Sequence, residues 1–312
     1  MKNLIFLRNV VLKKKFNKYR LDKFLSLSYP KYSRNHFKKC ILKNCVFVNN
    51  TIVNSPDFRI MKGDSLNVKF FSKQSDNLSP QKMSLDIVYE DKYLLVINKK
   101  PSLVVHPGFG NDTGTLLNGL INYYKFIKKI PRAGIIHRLD KDTSGLIIIA
   151  KTFLSYLLLK KMMKKREITR EYQAIVLGKI KYGGCINAPI SRNLKKRTCM
   201  TVSSFGKHAI TYYSIKKKYR YYTLLKIRLK TGRTHQIRVH MLYIQHPILG
   251  DKKYRCNYNI FKGLEKSSEF YKVKNFPRQA LHAYKINFIH PITKKKIVIR
   301  LNLPKDMQNF LS

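Results

Sequence analysis

Apolar residues recur at helical spacing twice near the start of the chain. The first run is Arg20-Leu21-Asp22-Lys23-Phe24-Leu25; the second spans Arg34 to Leu42, with Ser33 standing where an N-cap belongs. The pattern then changes. Val46-Phe47-Val48, followed by Asn49-Asn50, reads as a short strand entering a turn, and Ser65 to Phe71 reads as a second strand after Gly63-Asp64. Residues 72–83, with Ser75, Asp76, Asn77, Ser79 and Pro80, are polar and short of apolar anchors, which marks a linker. Strand patterns dominate beyond it. Asp86 to Glu90 and Tyr93 to Asn98 predict a hairpin; Ile135 to His137 and Leu146 to Ala150 are β-type runs around a polar loop; Tyr172 to Leu177 and Tyr222 to Leu229 add further strands. Leu154, Leu157, Leu158 and Met162 sit at helical spacing, with Lys160, Lys161, Lys164 and Lys165 on the other sides, which predicts an amphipathic helix. Mixed strands with few helices and no repeating βαβ order predict an α+β fold.

The expected division is therefore an extension at 1–18, a small domain at 19–71, the linker at 72–83 and a larger domain at 84–312. The opening Met1 to Leu12 is interrupted by Arg8 and Asn9 and lacks a small-residue cleavage site, so it reads as an extension and the protein as cytoplasmic.

Charge narrows the class of partner. With 64 Lys+Arg against 16 Asp+Glu, the formal charge of +48 favours a polyanion, nucleic acid first. Runs such as Lys13-Lys14-Lys15 and Lys216-Lys217-Lys218 among abundant Asn, Ile and Tyr make part of that excess compositional. A membrane surface would ask for an amphipathic anchor or a long apolar stretch, and neither stands out. The five cysteines (Cys40, Cys45, Cys185, Cys199 and Cys256) form no C-x-x-C pair and are odd in number, so buried reduced thiols are expected rather than disulfides or a zinc knuckle.

Three stretches carry candidate chemistry. In Arg132-Ala133-Gly134-Ile135-Ile136-His137-Arg138-Leu139-Asp140-Lys141-Asp142-Thr143-Ser144-Gly145-Leu146, a carboxylate sits among cations on a loop between core strands, a setting suited to an ionised nucleophile or base. The ordinary alternative is a surface Asp140 paired with Lys141 or Arg138. Arg166-Glu167-Ile168-Thr169-Arg170-Glu171-Tyr172 runs from the amphipathic helix into a strand, where a tyrosine is ordinarily core packing. Leu229-Lys230-Thr231-Gly232-Arg233-Thr234-His235-Gln236-Ile237-Arg238-Val239-His240 reads as strand, glycine turn and helix start. Its histidines are five apart with no Glu after His235, which excludes a zinc-protease site.

Together these stretches resemble the RluA-type pseudouridine synthase family, and the likeness extends over nearly the whole chain after residue 18. Further landmarks are Asn98 to Gly108, Gly114-Thr115-Leu116-Leu117-Asn118, Gly206-Lys207, His246-Pro247, Gly250-Asp251 and Arg278 to Ala283; the match fades over Lys252 to Phe276, a variable basic loop. The first block resembles an S4-type RNA-binding domain, departing from it at Asn44 and Asn50, where glycine is frequent and Asn tolerates the same left-handed backbone. The resemblance implies a small S4-type domain ahead of a mixed, largely antiparallel-sheet catalytic domain. It implies Asp140 as the catalytic carboxylate, Tyr172 against a flipped uridine, Arg233 paired with the aspartate, and Arg138 either contacting the RNA backbone or filling the space left by the flipped base. In the small domain it implies RNA contacts from Arg20, Ser33, Arg34 and Lys43. The implied reaction is isomerisation of uridine to pseudouridine in 23S ribosomal RNA or its precursor, in a stem-loop near the subunit interface, by a monomer with no cofactor or metal. Two other readings remain open: a non-catalytic RNA-binding assembly factor, and glycoside hydrolysis by Asp140 with Asp142.

Overall fold

The computed structural model describes residues 3–30, 32–72, 79–108, 110–255 and 268–312. The chain divides into two compact units, Met1–Asp76 and Asn77–Ser312.

The first unit runs β1 (Asn3–Val10), β2 (Tyr19–Arg20), α1 (Leu21–Ser28), α2 (Arg34–Leu42), β3 (Val46–Val48), β4 (Thr51–Ile52), β5 (Arg59–Ile60) and β6 (Ser65–Ser72). The two helices form where their apolar spacing predicts, and Ser33 caps α2 by accepting the His36 N–H at 3.1 Å. Leu21, Phe24, Leu25, Phe37 and Ile41 pack against Leu66, Val68 and Phe70, the alternate residues of β6. Asn44 (φ 56°) and Asn50 (φ 65°) take the left-handed backbone expected of them. One expectation is corrected. The opening segment is not an appendage: β1 pairs antiparallel with β6 from Asn3↔Ser72 to Val10↔Ser65, giving the sheet order β1-β6-β3-β4. Arg8 does not interrupt it, because strand pairing uses the backbone and Arg8 falls on the exposed face while Leu7 leans on the core. The pairing also covers an edge that β6 would otherwise expose.

The second unit runs β7 (Ile87–Glu90), β8 (Leu94–Lys99), α3 (Leu116–Tyr123), β9 (Ser144–Ala150), α4 (Phe153–Lys165), β10 (Thr169–Leu177), β11 (Gly184–Asn187), β12 (Ile190–Arg192), β13 (Met200–Val202), β14 (Ile210–Lys218), β15 (Tyr222–Leu229), α5 (Gln236–Tyr243), α6 (Ser268–Lys274), β16 (Leu281–Ile289), β17 (Lys296–Arg300) and α7 (Lys305–Leu311). Among the described residues a nine-stranded sheet is ordered β11-β14-β15-β10-β16-β9-β8-β7, with β17 also paired to β16. All its pairings are antiparallel except the short parallel contact of β9 with β16 at Ser144 and Gly145. There the chain must come very close: Gly145 has φ +112°, and a Cβ on it would collide with the Ala283 carbonyl oxygen. The approach brings the polar loop that precedes β9 onto the start of β16.

Two apolar cores flank this junction. One gathers β8, β9, α3 and the inner side of α4; the other gathers β10, β15, α5 and α7. Five local expectations change. Leu154 and Leu157 are exposed, because the capping box of Thr152 and Ser155, with Ser155 Oγ donating to the Tyr93 carbonyl at 2.7 Å, turns Ser155, Tyr156 and Leu159 inward instead. The run Ile135 to His137 contributes only an isolated bridge to Ile149, since Arg132, Ala133 and Gly134 all have positive φ just before it. Of the expected linker, 73–78 lies outside the described residues, whereas Ser79, Gln81 and Met83 are packed on α3. Of the four described cysteines only Cys40 is buried; Cys185 is exposed and Cys45 and Cys199 are partly so, while Cys256 lies outside the described residues. In the expected loop from Lys252 to Phe276, 256–267 also lies outside them, while α6 follows and Val273 and Phe276 join the second core.

Candidate active site

The loop ahead of β9 opens on a cleft of about 870 Å³ between the two cores, within the size range of ligand pockets. Asp140 lies on it together with Arg138, Tyr172 and Arg233, so the structure brings together all four residues expected in the larger domain. Lys164, Arg166, Arg170, Arg228, Lys230 and Arg238 also line it, which makes the cleft strongly basic around Asp140, the one carboxylate in its lining among the described residues.

The Asp140 loop is held from several sides. Thr143 N–H donates to the Asp140 carbonyl at 3.1 Å, closing a turn. Lys99, fully buried, donates to the carbonyls of Lys100 (2.7 Å), Leu103 (3.0 Å) and Lys141 (2.8 Å). Burial pushes this ammonium down to about 7, against the pull of Asp142 and Asp140. Arg278 donates to the Asp142 carbonyl at 3.1 Å while its other edge grips Asp306 at 2.6 and 2.9 Å. Gln279 donates to Thr143 Oγ1 at 3.0 Å.

The carboxylate itself is oriented by Arg238, not by Arg233. Arg238 Nη1 donates to Asp140 Oδ2 at 2.9 Å; its Nε and Nη2 form a fork on Asp251 at 2.6 and 2.9 Å. Burial works against this guanidinium's charge, but Asp251 and Asp140 outweigh it and hold Arg238 above its ordinary value. The expected pairing through Arg233 fails for a geometric reason. Arg233 sits in the turn before α5, where its N–H is tied to Gln236 Oε1 (3.0 Å) and its Nε donates to the His208 carbonyl (3.1 Å), leaving the side chain exposed at the rim. Arg238 lies in the first turn of α5 and faces inward. Both arginines belong to the same sequence stretch, and nothing in their spacing tells which will reach an aspartate 98 residues away.

Tyr172 is 4% exposed and opens toward the cleft near Asp140; burial raises its hydroxyl above the usual phenol range. His137 is pushed down to about 3 by burial beside Arg170, so it is neutral, and its Nε2 accepts the Ile148 N–H at 3.2 Å as a structural bond. Asp142, the second carboxylate considered for hydrolysis, does not line the cleft. Among the described residues, no three His, Cys, Asp or Glu side chains converge as a metal site.

Three of the four residues singled out in the small unit, Arg20, Ser33 and Arg34, have structural partners. Arg20 and Arg34 both bind Asp22, at 3.2–3.3 Å and 2.9–3.1 Å, and outweigh the burial that would raise its carboxyl, so Asp22 is held below the usual range. Ser33 is the helix cap already described, and Lys43 is exposed at the end of α2. Among the described residues no helix is long and apolar enough to cross a membrane.

Comparison with known proteins matches this geometry to a family. Residues 93–243 match the RNA pseudouridylate synthase family and residues 20–66 the S4 domain. A ribosomal large subunit pseudouridine synthase D from Buchnera aphidicola subsp. Acyrthosiphon pisum is 48% identical over 94% of this chain and 93% of its own. The proteins of the same name from Vibrio cholerae and Escherichia coli K12 are 43% and 44% identical, each over 92% of this chain and over 89% and 88% of their own. The human RNA pseudouridylate synthase domain containing 4 shares the fold, with a TM-score of 0.56 and 24% identity over 72% of this chain and 91% of that one. Full-length likeness and a matching catalytic-domain architecture together place the chain in the RNA pseudouridylate synthase family, with an S4 domain ahead of the synthase domain.

Proposed function

We propose that this enzyme isomerises uridine to pseudouridine in RNA of the large ribosomal subunit, acting in the cytoplasm with Asp140 as the catalytic carboxylate. The observation that carries the reading is the Asp140 carboxylate in a basic cleft, oriented by Arg238 and flanked by buried Tyr172, in a chain whose relatives are named for that activity.

The reaction breaks the bond from N1 of uracil to C1′ of ribose, turns the base, and joins C1′ to C5; the C5 proton leaves and N1 gains one. Each side chain has a role in this. The basic rim, with Arg138 and Arg233, holds the phosphates on either side of a nucleotide turned out of its stack. Tyr172 offers an apolar face against the flipped base. Arg238 keeps one oxygen of Asp140 fixed, leaving the carboxylate aimed into the cleft toward the reacting sugar or ring. The first unit raises affinity for the ribosomal substrate through its basic surface, with Lys43 exposed and Arg20 and Arg34 half-exposed beside Asp22.

The test is to incubate the protein with large-subunit ribosomal RNA and score the products. Pseudouridine supports the reading. Free uracil points to hydrolysis, and binding without turnover points to an assembly factor.

A further inference from the structure

The two oxygens of Asp140 have different neighbours. Oδ2 accepts the Arg238 hydrogen bond, whereas Oδ1 faces Nε2 of His235 at 3.9 Å. His235 stands immediately before α5 with φ 53°, a left-handed conformation that a non-glycine residue adopts at a cost. On the far side of its ring, Nδ1 lies 2.7 Å from the Tyr254 hydroxyl, and that hydroxyl accepts the backbone N–H of Met200 at 2.8 Å.

These contacts favour one imidazole tautomer over the other. Tyr254 is buried and its phenol is pushed up to about 12, so the hydroxyl keeps its one proton. Its oxygen already accepts from Met200, and the proton is left for Nδ1 of His235. A neutral imidazole that accepts at Nδ1 bears its hydrogen on Nε2, the nitrogen facing Asp140. The opposite tautomer would turn a lone pair toward a carboxylate oxygen and leave the phenol proton without its nearest acceptor. Burial lowers His235 below its ordinary range, although Asp140 pulls the other way, which favours the neutral ring.

Resting on the pseudouridine synthase reading, we propose that His235 is a positioning residue for the reaction. Held as the Nε2–H tautomer by Tyr254, it closes the 3.9 Å gap to Asp140 Oδ1 when RNA fills the cleft, and so fixes the second carboxylate oxygen. The carboxylate is then gripped by a cation on one oxygen and a neutral donor on the other. That stops its rotation without adding a second charge to weaken it as a nucleophile or base. The left-handed backbone at His235 is what places the ring between Tyr254 and Asp140 at the start of α5.

The experiment uses the full chain and a large-subunit ribosomal RNA transcript, with single-turnover pseudouridine formation and RNA Kd measured separately. His235→Ala lowers the single-turnover rate about tenfold or more while Kd stays within about threefold. His235→Gln, whose side-chain amide can still donate to Oδ1, recovers most of the rate. Tyr254→Phe, which frees the tautomer, loses rate without losing affinity. A His235→Ala rate within about twofold of the parent overturns the proposal, as does an equal loss in His235→Ala and His235→Gln, or a loss confined to Kd. Should His235→Ala fail to fold, Tyr254→Phe at the full parental rate overturns it alone. If the parent protein makes no pseudouridine, the functional reading falls first and this inference with it.

Discussion

Arg238 holds Asp140 and Asp251 with one guanidinium: Nη1 is 2.9 Å from Asp140 Oδ2, while Nε and Nη2 take both oxygens of Asp251. A cation on the first turn of α5 therefore links the loop before β9 to the turn that follows Gly250. Two negative charges and one positive charge share the site, and Arg238 is 5% exposed, so its removal leaves an unpaired buried carboxylate.

Replacing that residue separates it from its neighbour in sequence. Arg238→Met should destabilise the fold by about 3–5 kcal/mol, as removal of one partner of a buried ion pair does, and should abolish turnover in whatever protein still folds. Arg233→Ala should cost little stability, about 0.5 kcal/mol or less for a surface change, while weakening RNA binding and lowering its salt slope by about 0.7–0.9. Thermal melts and salt titrations of RNA binding check both. Equal melting temperatures for Arg238→Met and the parent would refute the buried role.

Asp140→Asn removes the charge but little volume, and its amide oxygen can still accept from Arg238. Pseudouridine formation should fall by more than about 10³-fold with RNA Kd nearly unchanged. Residual activity within about tenfold of the parent would sink the assignment of this residue.

Lys99 predicts a pH effect with a definite sign. Its folded-state value is about 7 against an ordinary value of 10.5, so between these limits the unfolded chain binds the extra proton. Stability contributed through Lys99 therefore rises with pH across that window and is flat outside it. In Lys99→Met this rise disappears, so the stability of the parent minus that of the variant should climb from pH 7 toward 10. A difference that stays level or falls would show that the three carbonyl acceptors keep the ammonium charged instead. The variant should also turn over more slowly, since the Lys141 carbonyl loses its anchor.

The boundary between the units sets where the chain can be cut. Asn118 Nδ2 donates to the Ser79 carbonyl at 2.8 Å, the Gln81 N–H donates to the Asn118 carbonyl at 3.1 Å, and Met83 packs over Gly119. A fragment comprising 77–312 should fold, keep its single-turnover rate at saturating RNA, and bind RNA more weakly with a flatter salt dependence. A fragment beginning at Ser84 should melt lower, because α3 loses those contacts. If 77–312 binds RNA as tightly as the whole chain with the same slope, the first unit is not an RNA-binding module.

What the sequence determined by itself is local or motif-borne. Apolar spacing was enough for α1, α2, β6, β8 and β15, because each buries one face, or the whole strand, of a single element. The long match of Arg132 to Leu146 to the family's signature singled out Asp140, and the structure puts it with Tyr172 on one cleft. Contacts made across the fold were not legible. The backbone edge that recruits β1 to β6 carries no side-chain signature. The inward side of α4 depends on where Ser155 finds the Tyr93 carbonyl, 62 residues back. Above all, the choice between Arg233 and Arg238 rests on the direction in which α5 starts. Gln236 sets that direction by tying Thr231, Arg233 and Ile210 into one buried hydrogen-bonded turn. Only once that turn is closed does one arginine point at the rim and the other at the carboxylate.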